Sequence, residues 1–108
     1  MMTNYIIPFR DFAAFAEEVT IELTPFRFRF FWNTRAKFWS MSIYDREGNL
    51  LISGVRLVIN YELLRWYPGR GLPTGKLFVI DLTESKNPIG RYDFVNERQL
   101  RLVYIGDE

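Results

Sequence analysis

The sequence predicts an all-β fold: a single small antiparallel β-sandwich or barrel of about seven or eight strands, with little helix. Three observations carry that reading. Aromatic residues make up 18% of the chain, with 10 Phe, 6 Tyr and 3 Trp, and aromatics favour strands. Apolar and polar residues alternate with period two in run after run, as side chains do across a strand. Gly, Pro, Asn and Asp fall between those runs and punctuate them as turns.

The clearest alternation lies in residues 26–45. Phe26, Phe28, Phe30 and Trp32 share one face, and Arg27, Arg29, Phe31 and Asn33 the other. After a short polar break, Trp39, Met41 and Ile43 face one way and Phe38, Ser40, Ser42 and Tyr44 the other. The break Asn33–Lys37 is short enough for a hairpin. Its two apolar faces would then carry Phe28, Phe30, Trp32, Trp39, Met41 and Ile43 into one core. Each large aromatic buries roughly 150–250 Å², so this hairpin alone supplies much of that core.

The other elements follow in order. Tyr5–Pro8 reads as a short edge strand, since Pro8 cannot donate to a ladder. Asp11–Glu18 reads as one or two helical turns capped by Asp11. Val19, Ile21 and Leu23 alternate with Thr20, Glu22 and Thr24 as a half-buried strand, and Thr24-Pro25 turns the chain. Asp45–Asn49 is a hairpin loop with positive φ at Gly48 or Asn49. Leu50–Ser53 returns, Gly54 marks a bend or bulge, and Val55–Ile59 continues with Val55, Leu57 and Ile59 inward. Lys76–Thr83 is apolar on both faces, which places it centrally or under cover. Residues 84–99 are polar and irregular. Leu100–Ile105 is the last strand, before a short tail.

Residues 60–75 break the pattern. They hold Pro68, Gly69, Gly71, Pro73 and Gly75. Sixteen residues is long for a structureless connection in a compact domain, which points to function or to a short helix around Tyr61–Trp66. The segment carries Arg65, Trp66, Tyr67 and Arg70, residue types that dominate interface energetics. From 56 to 76, Arg56, Arg65, Arg70 and Lys76 stand against Glu62 alone. These observations mark Arg65, Trp66, Tyr67 and Arg70 as partner-binding candidates for an acidic or carbonyl-rich patch. In the competing reading, Leu63, Leu64 and Trp66 fold back to cap the core.

Composition bounds the chemistry. The 108 residues, taken as one domain over 1–108, contain no Cys and no His. Disulfides and Cys-containing zinc sites are excluded, and the commonest general base and transition-metal ligand are missing. The 14 basic and 13 acidic residues give a net charge of +1. Residues 1–54 hold six of each and residues 55–108 hold eight basic and seven acidic. No basic tail or acidic arm emerges, which argues against a dedicated nucleic-acid binder. The first eight residues lack a basic n-region and a long apolar stretch, and no run approaches the ~20 apolar residues of a membrane helix. The expectation is a soluble protein made in the cytoplasm.

Motifs add little. Gly69–Lys76 resembles a phosphate-binding loop but has the wrong spacing. Gly69 leaves five residues before Gly75-Lys76, Gly71 leaves three, and Leu77 stands where Ser or Thr belongs; the loop needs four. Asp45–Asn49 has its Gly at the fourth position, whereas an EF-hand needs it at the sixth. Asp81 is the only acid in the apolar run Leu77–Leu82 and reads as a strand-end turn cap. Phe31 breaks the arginine face of its strand. With Phe38 and Tyr44 it marks a second covered surface, either an intrachain layer or a partner site.

Several stretches together resemble a known family. They are Trp32–Trp39, Met41–Gly48, Leu51–Leu57, Gly71-Leu-Pro-Thr-Gly75 with Asp81, and Arg101–Tyr104. Their order is similar to that of the small baseplate plug proteins of contractile-tailed phages, of the cyanophage type, over residues 26–105. The resemblance implies a non-enzymatic, all-β virion protein in the tail baseplate. It implies packing with hub and spike proteins to close the distal end of the tube, and it admits a homo-oligomer there. No catalytic residue, cofactor or metal is implied. Phe9–Glu18, rich in aromatics and alanine, departs from the polar, turn-like start of that family. Two other function classes stay open: a small binding module for carbohydrate, peptide or single-stranded nucleic acid, and an enzyme with paired carboxylates.

Overall fold

The computed structural model describes residues 4–67, 69–83, 87–95 and 100–106. Among them seven strands form two antiparallel sheets, and there is no helix. The strands are β1 (Asn4–Ile7), β2 (Ala14–Ile21), β3 (Thr24–Asn33), β4 (Phe38–Tyr44), β5 (Leu50–Arg56), β6 (Lys76–Asp81) and β7 (Leu100–Ile105). One sheet has the order β1-β7-β6, the other β2-β3-β4-β5. Neither closes on itself, so the arrangement is a sandwich rather than a barrel.

The aromatic hairpin forms as its pattern dictates. β3 pairs with β4 from Arg27↔Tyr44 to Asn33↔Phe38, with Trp32 opposite Trp39. Phe26, Phe28, Phe30, Trp39, Met41 and Ile43 are buried, whereas Trp32 is half-buried at the margin. Leu77, Val79, Leu100, Leu102 and Tyr104 from the other sheet join them in one core cluster. The β4–β5 turn is held by Asp45, whose carboxylate accepts from the Glu47 and Asn49 amides at 2.9 and 2.8 Å. Those bonds, the Asn49 amide first, hold the Asp45 carboxyl below its ordinary range. Gly48 takes φ +89° in this turn, and Gly54, at φ +70°, sits in a bulge opposite Ser42.

Several expectations are corrected. Residues 11–18 are not helical. Phe9 stacks on Phe94 at 4.1 Å and meets Trp39 edge-on at 4.9 Å, which pins the crossing between the sheets. Residues 14–21 then pair along β3 from Ala14↔Phe31 to Ile21↔Thr24. That ladder overrides the helix propensity of Ala and Glu. The turn is Glu22-Leu23, not Thr24-Pro25, which lie within β3. Leu23 is accordingly 95% exposed rather than half-buried. Val55–Ile59 is not one strand: β5 ends at Arg56, and Ile59 forms only an isolated parallel bridge to Val79. Of the two readings of Lys76–Thr83, the central one fails, since β7 is central and β6 an edge strand, and the covered one holds.

Candidate functional site

The segment after β5 runs along the free edge of β6. The Asn60 amide donates to the Val79 carbonyl and the Leu63 amide to the Leu77 carbonyl, each at 2.9 Å. These bonds satisfy part of an edge that would otherwise be open to strand pairing, and they explain how an edge strand reads as a covered one. Leu63 and Leu64 enter the core. Two successive turns follow, in which the Arg65 amide donates to Glu62 at 3.2 Å and the Tyr67 amide to Leu64 at 3.1 Å. They replace the short helix that the length suggested around Tyr61–Trp66.

This geometry sorts the predicted residues. Trp66 is 67% exposed. Its indole N–H donates to the Tyr61 hydroxyl at 2.5 Å, and the Arg65 guanidinium lies 5.2 Å from its ring centre. Arg70 lies 5.7 Å from the half-buried Tyr67 ring. The four residues therefore form two Arg–aromatic pairs on one segment. In the core-capping reading, the leucines fold inward as expected and Trp66 does not. Such pairs present apolar rings beside strong donors, a combination suited to a partner's carbonyls and carboxylates.

The far end of the segment is fixed by contacts that sequence reasoning missed. The Gly75 amide donates to the buried Tyr104 hydroxyl at 2.7 Å. A Cβ at Gly75 would collide with the Ile105 carbonyl oxygen and the Tyr104 ring. A Gly just ahead of a strand was the only visible signal. The Tyr104 hydroxyl in turn donates to Glu22 at 3.0 Å, and the Glu22 amide donates to the Tyr5 hydroxyl at 3.1 Å.

Two of the described acids have defined local roles. Asp81 accepts from the Thr83 amide and hydroxyl at 2.9 and 2.6 Å, as a turn cap does. Glu17 faces inward from β2, and burial raises its carboxyl above the ordinary value, opposed by Arg10. Among the described residues no three acidic groups converge to hold a metal, and no helix is long and apolar enough to cross a membrane.

The family model described as "Cyanophage baseplate Pam3 plug gp18" matches residues 4–107. The chain belongs to this family. The match spans all seven strands and the whole 60–75 segment. It also takes in residues 9–18, the stretch whose composition departs from the family's expected start. Membership makes the chain a phage tail baseplate plug protein. No curated protein matches it. Membership in the family implies association with other baseplate proteins.

Proposed function

We propose that the protein is a non-enzymatic part of a contractile tail baseplate, where it packs with hub and spike proteins and plugs the distal end of the tail tube. It is made in the host cytoplasm as one domain spanning residues 1–108, and more than one copy can enter the assembly. Arg65, Trp66, Tyr67 and Arg70 meet the partner.

The observation that carries this reading is the split within one short segment. Leu63 and Leu64 are anchored in the core while Trp66, two residues on, is 67% exposed and oriented by Tyr61. A large aromatic held rigidly outward costs little entropy when a partner pocket closes on it. Family membership supplies the setting.

The test is incorporation into tails. Trp66→Ala and Arg70→Ala should each lower the amount of this protein in purified tails while leaving the Tm of the isolated protein within a degree or two. Normal incorporation of both variants would remove the segment from the interface. The exposed Trp66–Tyr61 pair also favours a second reading, a sugar stacked on the indole. Loss of glycan binding in Trp66→Ala, with incorporation intact, would support it.

A further inference from the structure

The outer face of the β2-β3-β4-β5 sheet has no second layer among the described residues. The alternation that buries Phe28 and Phe30 turns Phe31 outward, where it is 55% exposed. Strand register places Ala14 and Ser40 on either side of Phe31, and Ala16 and Ser42 on either side of Arg29. These four small side chains leave a groove of about 340 Å³ around the two larger ones.

The charge on this face is unbalanced. Arg27, Arg29 and Arg56 stand against Glu18, which pairs with Arg27 at 3.5 Å. Arg29 has no carboxylate within ion-pair distance among the described residues. Arg56 lies 4.8 Å over the Phe38 ring, with its charge facing solvent. Arg29 thus shares the groove with the exposed Phe31 ring, and Arg56 lies one strand beyond Ser40 in the same cross-strand row; among the described residues neither has a carboxylate at ion-pair distance.

We propose that this face is a second docking surface, for a protein surface that presents carboxylates around an apolar side chain. It lies on the sheet opposite the one edged by the Trp66 segment, so a protein engaged at both would bridge two neighbours. The proposal does not depend on what the Trp66 segment binds.

Two other occupants fit less well. A second copy would set Arg29 and Arg56 against the same charges. Four strands about 4.8 Å apart and about seven residues long give a face on the order of 400 Å², against roughly 800 Å² per partner in a stable pair. A contact of this size works as one of two, where a first attachment raises the effective concentration of the second. Single-stranded nucleic acid needs a series of free aromatic faces. Here Phe38 lies under Arg56 and Tyr44 is half-buried, which leaves Phe31.

The experiment supplies variants in trans to tails lacking this protein and counts copies per purified tail. The double variant Arg29→Glu/Arg56→Glu should lower the count at least tenfold with its Tm unchanged, and Phe31→Ser should lower it several-fold. Arg46→Glu, in the β4–β5 turn, should not lower it. Phe31→benzoylphenylalanine, irradiated in assembled tails, should crosslink to an Asp- or Glu-rich stretch of another tail protein. Full incorporation of both the double variant and Phe31→Ser would overturn the proposal. If Trp66→Ala alone lowers the count, the first surface stands and this one falls. Two further results would overturn it in favour of the other occupants. One is a concentration-dependent dimer in sedimentation that Phe31→Ser abolishes. The other is binding of a dT oligonucleotide that the double variant loses.

Discussion

The Tyr104 hydroxyl donates to the Glu22 carboxylate at 3.0 Å, joining residues 82 positions apart. Tyr104 belongs to the central strand of one sheet and Glu22 to a hairpin tip of the other. The same hydroxyl accepts from the Gly75 amide at 2.7 Å. One buried phenol therefore ties two sheets and the end of the Trp66 segment together.

Tyr104→Phe leaves the Gly75 amide without its acceptor and should cost about 1–3 kcal/mol. Gly75→Ala should cost more, because backbone as well as side chain must move to admit the Cβ. The link also predicts alkaline behaviour. Burial, with Glu22 adding to it, raises the Tyr104 phenol above its ordinary 10.0. The unfolded chain then ionises first, so this group's contribution is whole below pH 10 and declines as pH rises through the folded value. Urea midpoints from pH 8 to 11 should fall in the wild type and fall less in Tyr104→Phe. Parallel curves would show that Tyr104 is not the group responsible.

Glu17 is the opposite case, a charge held where it costs stability. It points inward from β2, an edge strand, with one carboxylate oxygen buried and without a hydrogen-bond partner among the described residues. Inward charges on edge strands discourage edge-to-edge pairing. Burial raises its carboxyl above 4.5, so the native state is favoured by protonation and loses that benefit as pH rises through the folded value. Glu17→Gln should therefore be more stable than wild type at pH 7, and the gap should narrow by pH 4. Light scattering should also show more self-association in the variant. An unchanged or lower urea midpoint at pH 7 would contradict this account.

The β2–β3 connection is a two-residue turn, with Glu22 at φ +51° and Leu23 at φ +70°. Positive φ at both central positions is a type I′ turn, which favours Asn-Gly. A side chain in that region costs roughly 1–2 kcal/mol, partly offset by the added freedom of Gly in the unfolded chain. Leu23 is fully in solvent and loses no packing, so Leu23→Gly should raise stability by about 0.5–1 kcal/mol. Glu22→Gly should not, because it removes the acceptor of Tyr104. A thermal melt of the two variants separates these outcomes.

This turn also shows where sequence reading ends. Neither Glu nor Leu signals a type I′ turn; contacts with Tyr5 and Tyr104, distant in sequence, hold it. The aromatic hairpin was legible because strict alternation over seven or more residues has one solution as a strand. The end of β2 was legible too, from Val19 and Ile21, but its first half was not, because Glu17 occupies an inward position between Phe15 and Val19, amid good helix formers. β6 read as central or covered, and the second holds: residues 59–63 cover an edge that no strand fills. Of the candidate site, the residue types were readable. Their pairing and direction depend on two turns that the order Leu-Leu-Arg-Trp does not encode by period.

That direction gives the last prediction, which separates core lid from display surface by stability alone. Leu63 is buried and its amide is bonded to Leu77, so Leu63→Ala leaves a cavity beside β6 and should cost about 2–5 kcal/mol. Trp66 loses mainly one exposed hydrogen bond to Tyr61 and a cation–π contact with Arg65. Surface changes of that kind usually stay within about 0.5 kcal/mol. Guanidinium melts should therefore show a large drop for Leu63→Ala and almost none for Trp66→Ala. A comparable drop in both would mean that the indole closes over the core, and the outward role of the segment would pass to Arg65 and Arg70.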